Sequence, residues 1–271
     1  MRGGGSSGVR STFEFITEKL GITRRALLVP KTRPKRREQL AGFLTITPAL
    51  ALILALTLYP VGYSIWLSLL EKHSFFPQER FVGLENFLYL SKDPEFWTSL
   101  WLGTVYSVWT IFFQVVLGVA AALILNETFV GRGLVRAIVL FPYMIPTIVA
   151  VILWKWLLND TYGVVNYWLM ALGIIWDPIS WLGADHIMLS LIVMSIWQFF
   201  PFVLLSILAR LQTIPPELYE AAKVDGASAL RRFVHITLPQ IRGILFVVIL
   251  LRSIWMFTKF DTVWLMGEGA G

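Results

Sequence analysis

The chain has 271 residues and a net charge of +6, with 56% hydrophobic and only 15% charged residues. A soluble domain of this length does not need so much apolar surface, so the composition excludes a soluble globular protein and indicates a membrane protein. The absence of cysteine excludes disulfide bonds and thiolate metal sites, and His73, His186 and His235 are too far apart in the sequence to suggest a metal cluster.

The first 39 residues form a basic tail with ten Lys or Arg residues against three carboxylates. Its opening MRGGGSSGVR is of low complexity. The run KTRPKRRE stands just before the first apolar run, which favours a topological anchor held by anionic lipid over a nucleic-acid-binding arm. That apolar run begins too late and is too long for a cleavable signal peptide. We expect a partly disordered cytoplasmic tail, residues 1–39, and a transmembrane domain, residues 40–271.

Four runs without Asp, Glu, Lys or Arg predict membrane-spanning helices. Each reaches or exceeds the roughly 18 to 20 residues with which a helix crosses ~30 Å of hydrocarbon. The runs are Gln39–Leu70, Phe96–Asn126, Ala137–Trp154 and His186–Ala209.

Small residues and prolines mark special positions within two of these runs. Gly118 and Ala122 form a small-xxx-small pair that predicts a close helix contact in the second span. Pro142 and Pro146 predict a bend in the third span, either as a gate or as a packing solution.

A fifth span is predicted from Ile241 to Leu265, although Arg252 and Lys259 lie inside it. The competing segment, Thr161–Trp176, is shorter and is closed by Gly173. We interpret it as an interfacial or re-entrant helix whose Tyr and Trp side chains lie at the depth of the lipid headgroups.

The charges of the connecting segments support this count. Segment 71–95 has three basic and five acidic residues, and segment 127–136 has two basic and one acidic. Segment 155–185 has one basic and three acidic residues, and segment 210–242 has five basic and three acidic. Lys and Arg accumulate on the cytoplasmic side, so the alternation predicts a cytoplasmic N-terminus. Five spans then leave the C-terminus outside, where the chain ends in GEGAG; either the protein has five helices or a final helix is missing.

The segment 210–240 predicts two short helices with a tight corner. Pro216 and the acidic residues after it suit the first turn of a helix, and Asp225-Gly226 supplies the break. A second helix is expected from Ser228, a good N-cap, to about Thr237, before Pro239. The alanines beside the corner leave room for the surface of another protein, although an ordinary solvated loop can have the same composition.

The order of residues in EAAKVDGA, followed by the Ile-x-Leu-Pro ending at Pro239, resembles the coupling loop of permease subunits of bacterial ATP-binding-cassette (ABC) importers. The stretches FVGLENFLYLSKDPEFWTSL, FPYMIPTIVAVILWKWLLNDTYGVVN and WQFFPFVLLSILARLQTIPPELYEAA resemble the carbohydrate-uptake branch, of the maltose and glycerol-phosphate type. The chain departs from that pattern at Gly103, where Asn is frequent, and in MGEGAG from Met266.

The resemblance implies an all-α type I importer fold with a sixth helix that this chain lacks. It also implies an ATP-binding subunit dimer, a second homologous permease subunit and an extracytoplasmic solute-binding protein as partners, in a bacterial cytoplasmic membrane. The residues that it assigns to coupling with the ATPase are Glu220, Ala221, Ala222, Asp225, Gly226, Ala227 and Pro239.

The chain contains no Gly-x-x-x-x-Gly-Lys-Ser/Thr phosphate loop, so ATP and magnesium are expected on a partner and not as cofactors here. We expect an ATPase subunit to move the coupling helix as a lever, so that the spans alternate between inward-facing and outward-facing states.

Polar side chains inside the spans are candidates for the substrate path, because burial in lipid is costly. Arg252, Trp255 and Lys259 fall at i, i+3 and i+7 of the fifth span, where they would suit a sugar ring or a phosphorylated polyol. Alternatively, Arg252 pairs with a neighbouring subunit and Lys259 extends to the membrane interface. Gln114 and Gln198 are weaker candidates.

Two other classes of function fit less well. A secondary transporter would carry a membrane-buried carboxylate for ion coupling, and the four charge-free runs contain none. A membrane-embedded enzyme would need a convergent set of nucleophile, base or metal ligands, and we find no catalytic set in the sequence.

Overall fold

The computed structural model describes residues 36–72 and 79–267. The predicted tail up to residue 35, His73 and the terminal residues 268–271 lie outside this range. The described residues divide into two compact units, of which the first ends at Leu90 and the second begins at Ser91.

The first unit contains one long helix and a small hairpin. Helix α1, Arg36–Ser68, is followed by strands β1, Leu70–Lys72, and β2, Glu79–Phe81, which pair antiparallel with Leu70 opposite Phe81. The Asn86 side chain, at the start of helix α2, Glu85–Lys92, donates to the carbonyls of Ser68 and Leu70 at 3.0 Å each. These bonds fasten the hairpin to the end of α1.

Two exposed ion pairs link the strands of the hairpin. Arg80 contacts Glu71 at 2.9 Å, and the Lys72 ammonium contacts Glu79 at 2.5 Å. The hydrogen bond from the Lys72 ammonium to the Glu79 carboxylate raises the pKa of Lys72 above the ordinary value for lysine. The pairs are cross-strand neighbours, which fixes the register.

The second unit is helical in all of its regular elements. In chain order these are α3, Pro94–Asn126; α4, Arg132–Met144; α5, Thr147–Leu157; α6, Val164–Ala171; α7, Ile187–Leu211; α8, Pro216–Val224; α9, Ala229–Arg232; a π-helical turn, Phe233–Thr237; α10, Leu238–Phe257; and α11, Phe260–Gly267.

Four stretches of helix are long and apolar enough to cross a membrane: Gly42–Ser68, Pro94–Asn126, Ile187–Leu211 and Ala229–Phe257. They confirm the predicted first, second and fourth spans as single helices. The bent pair α4 and α5 brings the number to five if the pair is one span.

The third span is not the continuous helix that Ala137–Trp154 predicts. Helices α4 and α5 meet at 100°, with Ile145 and Pro146 between them. Ile145 is extended, at φ −79° and ψ 130°, because a residue before proline is disfavoured in the helical region. The sequence predicts the bend, but the helix is broken rather than curved.

The fifth span begins earlier and ends sooner than Ile241–Leu265. The second short helix does not stop before Pro239 but runs on through the π-helical turn into α10, which ends at Phe257. A proline ring collides with the carbonyl four residues earlier in an α-helix. In the wider turn the Leu238 N–H donates to the Phe233 carbonyl, which gives Pro239 room without ending the helix.

The segment Thr161–Trp176 forms only the eight-residue helix α6, too short to span a membrane. Its buried Asn166 donates to the Ile179 carbonyl at 2.9 Å and accepts from Trp181 Nε1 at 2.8 Å. These bonds hold the following loop against α6. Its position at the lipid headgroups stays a prediction.

The core of the second unit lies where α3 packs along α7. Ala122 and Val203 are both fully buried in one hydrophobic cluster. A Cβ atom at Gly118 would come within 2.6 Å of Val203 Cβ and 3.1 Å of the Leu204 backbone nitrogen. The predicted close contact at the small-xxx-small pair is confirmed.

We expect Gly118→Ala to destabilise the protein by about 1–3 kcal/mol, because a methyl group at this position overpacks the contact between α3 and α7. Thermal unfolding of the purified protein in detergent would measure the effect. Gly103→Ala is the control, since a Cβ atom there meets nothing within 4 Å. Equal melting temperatures for the two variants would contradict the prediction.

Candidate functional site

The corner of the segment 210–240 is built from local signals. Pro216 occupies the first turn of α8, and after Val224 the Ala227 N–H donates to the Ala222 carbonyl at 2.8 Å. The Gly226 N–H donates to the Lys223 carbonyl at 3.1 Å, and these two bonds form a Schellman motif. Gly226 has φ +73°, a conformation that disfavours a side chain. The predicted helix and corner are confirmed.

Ser228 begins the second helix as predicted. Its hydroxyl accepts a hydrogen bond from the Arg231 N–H at 3.3 Å. Arg232 then donates to the Ala227 carbonyl at 2.6 Å, which fastens α9 back onto the corner. The corner is therefore a rigid unit and not a loose loop.

The corner is exposed. No residue of α8 is buried, Val224 is 88% exposed, and a Cβ atom at Gly226 would meet nothing within 4 Å. Of the seven predicted coupling residues, Glu220 to Ala227 share this corner, whereas Pro239 lies in the first turn of α10. An exposed rigid corner with little side-chain bulk can be approached closely by another protein.

The base of the segment is tied to the long helices. Arg210, in the last turn of α7, donates through Nε to the Gln240 carbonyl at 3.0 Å and through a terminal nitrogen to Gln240 Oε1 at 2.9 Å. The Tyr219 hydroxyl lies 3.0 Å from Thr237 Oγ1. Thr237 directly precedes α10, so Tyr219 joins α8 to the start of α10, while Arg210 joins the end of α7 to it.

A second candidate site is a buried hydrogen-bonded cluster between three helices. Arg252 on α10 is 1% exposed, and its Nε donates to Gln114 Oε1 on α3 at 2.8 Å. Gln114 Nε2 donates in turn to the Ser195 carbonyl on α7 at 2.8 Å. The Tyr106 hydroxyl lies 2.6 Å from Ser195 Oγ. Hydrogen bonds among polar groups therefore connect α3, α7 and α10 in this cluster, whose members are Tyr106, Gln114, Ser195 and Arg252.

Aromatic rings surround the two cations of the predicted stripe. The Arg252 guanidinium carbon lies 4.7 Å from the centroid of the Phe199 ring and 5.8 Å from that of Trp255. Lys259 Nζ lies 4.4 Å from the Phe199 centroid. Within residues 36–72 and 79–267 neither cation forms a salt bridge. Cation–π attraction therefore stabilises both cations, and the nearby Asp261 carboxylate adds a longer-range attraction for Lys259.

The geometry of the stripe differs from the prediction. Lys259 lies beyond the end of α10, so Arg252 and Lys259 do not share one helical face. Phe199, on α7, brings them together instead. Because Arg252 is enclosed within this chain, the alternative that it pairs with a neighbouring subunit is not favoured.

Gln198 belongs to the break in the third span and not to the cluster. It is 1% exposed, and its Nε2 donates to the carbonyl of Ile145 at 3.1 Å. Its Oε1 finds no hydrogen-bond partner among the described residues. Gln198 therefore satisfies a carbonyl that the break between α4 and α5 leaves free.

Phe199, Ser195 and Tyr106 are not among the site residues that the sequence predicts. The available signal is spacing, since Ser195, Gln198 and Phe199 lie on one face of α7 at i, i+3 and i+4. Among the described residues no group of three or more His, Cys, Asp or Glu side chains could hold a metal ion.

A protein family and several individual proteins are similar in sequence to this chain. Residues 114–271 match the family described as "Binding-protein-dependent transport system inner membrane component". The chain is 39% identical over 239 residues to the trehalose/maltose transport system permease protein MalF of Thermococcus litoralis, covering 88% of this chain and 80% of that relative. It is 33% identical over 242 residues to the trehalose transport system permease protein SugA of Mycobacterium tuberculosis, covering 89% and 77%.

A solved structure shares the fold. A chain in the crystal structure of a bacterial alginate ABC transporter in complex with alginate pentasaccharide-bound periplasmic protein aligns with a TM-score of 0.67. The identity is 23%, and the alignment covers 87% of this chain and 83% of that chain.

We expect Gln114→Leu to lower the free energy of unfolding by about 1–3 kcal/mol, because it leaves the buried Arg252 Nε without its acceptor. Thermal unfolding in detergent would measure this loss. The double variant Gln114→Leu, Arg252→Met is expected to lose less than the sum of the two single variants, since it removes both partners. Strictly additive losses would show that the hydrogen bond contributes nothing.

Proposed function

The chain belongs to the family of binding-protein-dependent transport system inner membrane components, and on that premise we propose that it forms part of the path of a sugar through its importer. It is a multi-pass permease subunit of an ABC importer. Membership of this family excludes the secondary-transporter and membrane-enzyme alternatives.

The substrate proposal is supported by the relatives and by the chemistry of the buried cluster. Two relatives are named for trehalose or maltose transport. Trp255, which is 37% exposed, offers an aromatic face to a sugar ring, and the partly exposed Lys259 offers a donor to its hydroxyl groups. The buried Arg252 orients this surface from behind, through Phe199 and Trp255. The positive charges of Arg252 and Lys259 also favour a second candidate, a glycerol-phosphate-like polyol carried by the same class of importer.

The coupling proposal depends on one observation, the exposed and rigid corner at Gly226. We assign the contact with a separate ATPase dimer to α8 and this corner, that is, to Glu220, Ala221, Ala222, Asp225, Gly226 and Ala227. Pro239 contributes at a distance by shaping the start of α10. ATP-driven closure of the dimer pushes α8, and the long helices respond by alternating between two orientations.

The remaining proposals concern orientation and partners. The charge of the connecting segments supports a cytoplasmic N-terminus and a cytoplasmic corner. A solute-binding protein then delivers the substrate on the opposite side, and a second, homologous permease subunit completes the path.

We expect Gly226→Trp to lower sugar uptake about tenfold or more, because the bulky side chain projects into the space that the ATPase occupies. Membrane insertion should be unchanged. Uptake of radiolabelled trehalose and maltose, together with co-purification of the ATPase subunit, would measure the effect.

Two control variants separate the effect of side-chain bulk on uptake from the effect of backbone strain. Gly226→Ala adds a Cβ atom at the same positive φ, which costs about 1–2 kcal/mol of stability, but it adds no bulky side chain. Gly173→Trp places the same side chain on a glycine at φ +70° that is also open within 4 Å, but in the segment predicted to lie outside. Normal uptake by Gly226→Trp, or equal loss in Gly173→Trp, would contradict the assignment.

The cysteine-free sequence permits a direct test of orientation. We expect Val224→Cys to react with a membrane-impermeant maleimide only after the membrane is opened, and Trp176→Cys to react in intact cells. Both native side chains are 88% exposed, so accessibility within the chain is matched. Labelling of Val224→Cys in intact cells would place the corner outside and overturn the coupling proposal.

A further inference from the structure

The π-helical turn, Phe233–Thr237, lies between the corner and the long helix that carries Arg252. A π-turn holds one residue more than an α-turn, and its hydrogen bonds run from i to i+5. Such turns occur frequently at functional sites, and a change of this turn to i→i+4 hydrogen bonding would rotate and shift the helix that follows. A π-turn at this position can therefore convert a push on the corner into a movement of α10.

A side-chain hydrogen bond connects α8 to this turn. The Tyr219 hydroxyl lies 3.0 Å from Thr237 Oγ1, at the last residue of the π-helical turn. The Tyr219 ring packs against the hydrophobic cluster that contains Leu208 and Leu211, and Thr237 is buried. Tyr219 is thus the residue through which α8 reaches both the core and the π-helical turn.

Helix α8 also has room to move. A cavity of about 660 Å³ lies between α8 and the C-terminal end of α3. Tyr219 and Lys223 line it from α8, Leu123 and Glu127 from the end of α3, and Phe233 from the π-helical turn. This space lies on the path of α8 toward the end of α3, and Tyr219 is the residue of α8 that moves against the hydrophobic cluster.

We propose that Tyr219 and Thr237 are positioning residues for energy coupling, which transmit the displacement of α8 to the π-helical turn and from there to α10 and Arg252. The inference rests on the proposed contact between α8 and the ATPase. Tyr219 moves with α8 and its hydroxyl pulls on Thr237. The hydrogen bonding of the π-helical turn then changes, and α10 turns with Arg252 on it.

The experiment uses the complete importer, purified with its ATPase, second permease subunit and binding protein. Thr258→Cys, at an exposed residue directly after α10, reports the movement of that helix through its rate of maleimide labelling. The rate is measured without nucleotide and with ATP and vanadate, and ATP hydrolysis is measured in parallel. No knowledge of the transported sugar is required.

In the Thr258→Cys background, we expect Tyr219→Phe and Thr237→Val to lose about fivefold or more of the nucleotide-induced change in labelling, while hydrolysis stays within about twofold. Thr237→Ser keeps the hydroxyl and should behave as the parent. The pair Tyr219→Phe, Thr237→Val should be no worse than either single variant, because both remove the same bond. Ser206→Ala, which removes a hydroxyl that bonds within α7, is the matched control.

The outcomes separate this inference from the proposed function. A normal change in labelling in Tyr219→Phe with the ATPase bound overturns the inference and leaves the coupling proposal intact. Loss of the ATPase from Tyr219→Phe also overturns it, because Tyr219 would then be a docking residue. If Gly226→Trp takes up sugar normally with the ATPase bound, the coupling proposal itself fails.

Discussion

A guanidinium in the interior of a membrane protein must find its hydrogen-bond partners within the protein, and Arg252 finds one on another helix. Its bond to Gln114, and the bond from Gln114 to Ser195, join α10, α3 and α7. Burial of an ionised group without such partners would cost several kcal/mol. The rotation of these three helices about their axes is therefore fixed at the depth of the cluster. The close contact at Gly118 fixes the spacing of α3 and α7 farther along.

The same constraint explains how the chain tolerates two broken helices. Backbone groups that leave a helix in a membrane need partners from elsewhere in the protein. Gln198 supplies one for the Ile145 carbonyl at the break between α4 and α5. Lys155 supplies another, since its ammonium donates at 3.1 Å to the Leu265 carbonyl near the end of α11. Both carbonyls thus accept a hydrogen bond from a polar side chain of another element.

The two candidate sites belong to one continuous stretch of helix. Residues 229–257 run from the corner, through the π-helical turn and Pro239, to Arg252. A helix of this kind transmits a movement along its length only if few hydrogen bonds tie it to other elements, and only if those bonds lie near its ends. Arg210 and Tyr219 provide such attachments near its start, and Gln114 provides one near its end. Under the proposed coupling, this helix connects the surface contacted by the ATPase with the proposed substrate path.

The sequence by itself determined the features that depend on neighbours within about one helical turn. Hydropathy placed the long helices, Asp225-Gly226 the corner, Ser228 the helix start, and the spacing of Gly118 and Ala122 the tight contact. Only the tertiary structure decided how sharply the chain breaks at Pro146, that the helix continues through Pro239, and that Phe199 unites Arg252 and Lys259 across the end of α10. Proline allows either a stop or a kink, and the outcome depends on whether other elements satisfy the freed backbone. The partners Gln114 and Arg252 are 138 residues apart in the sequence, so only the packing of α3, α7 and α10 brings them into contact.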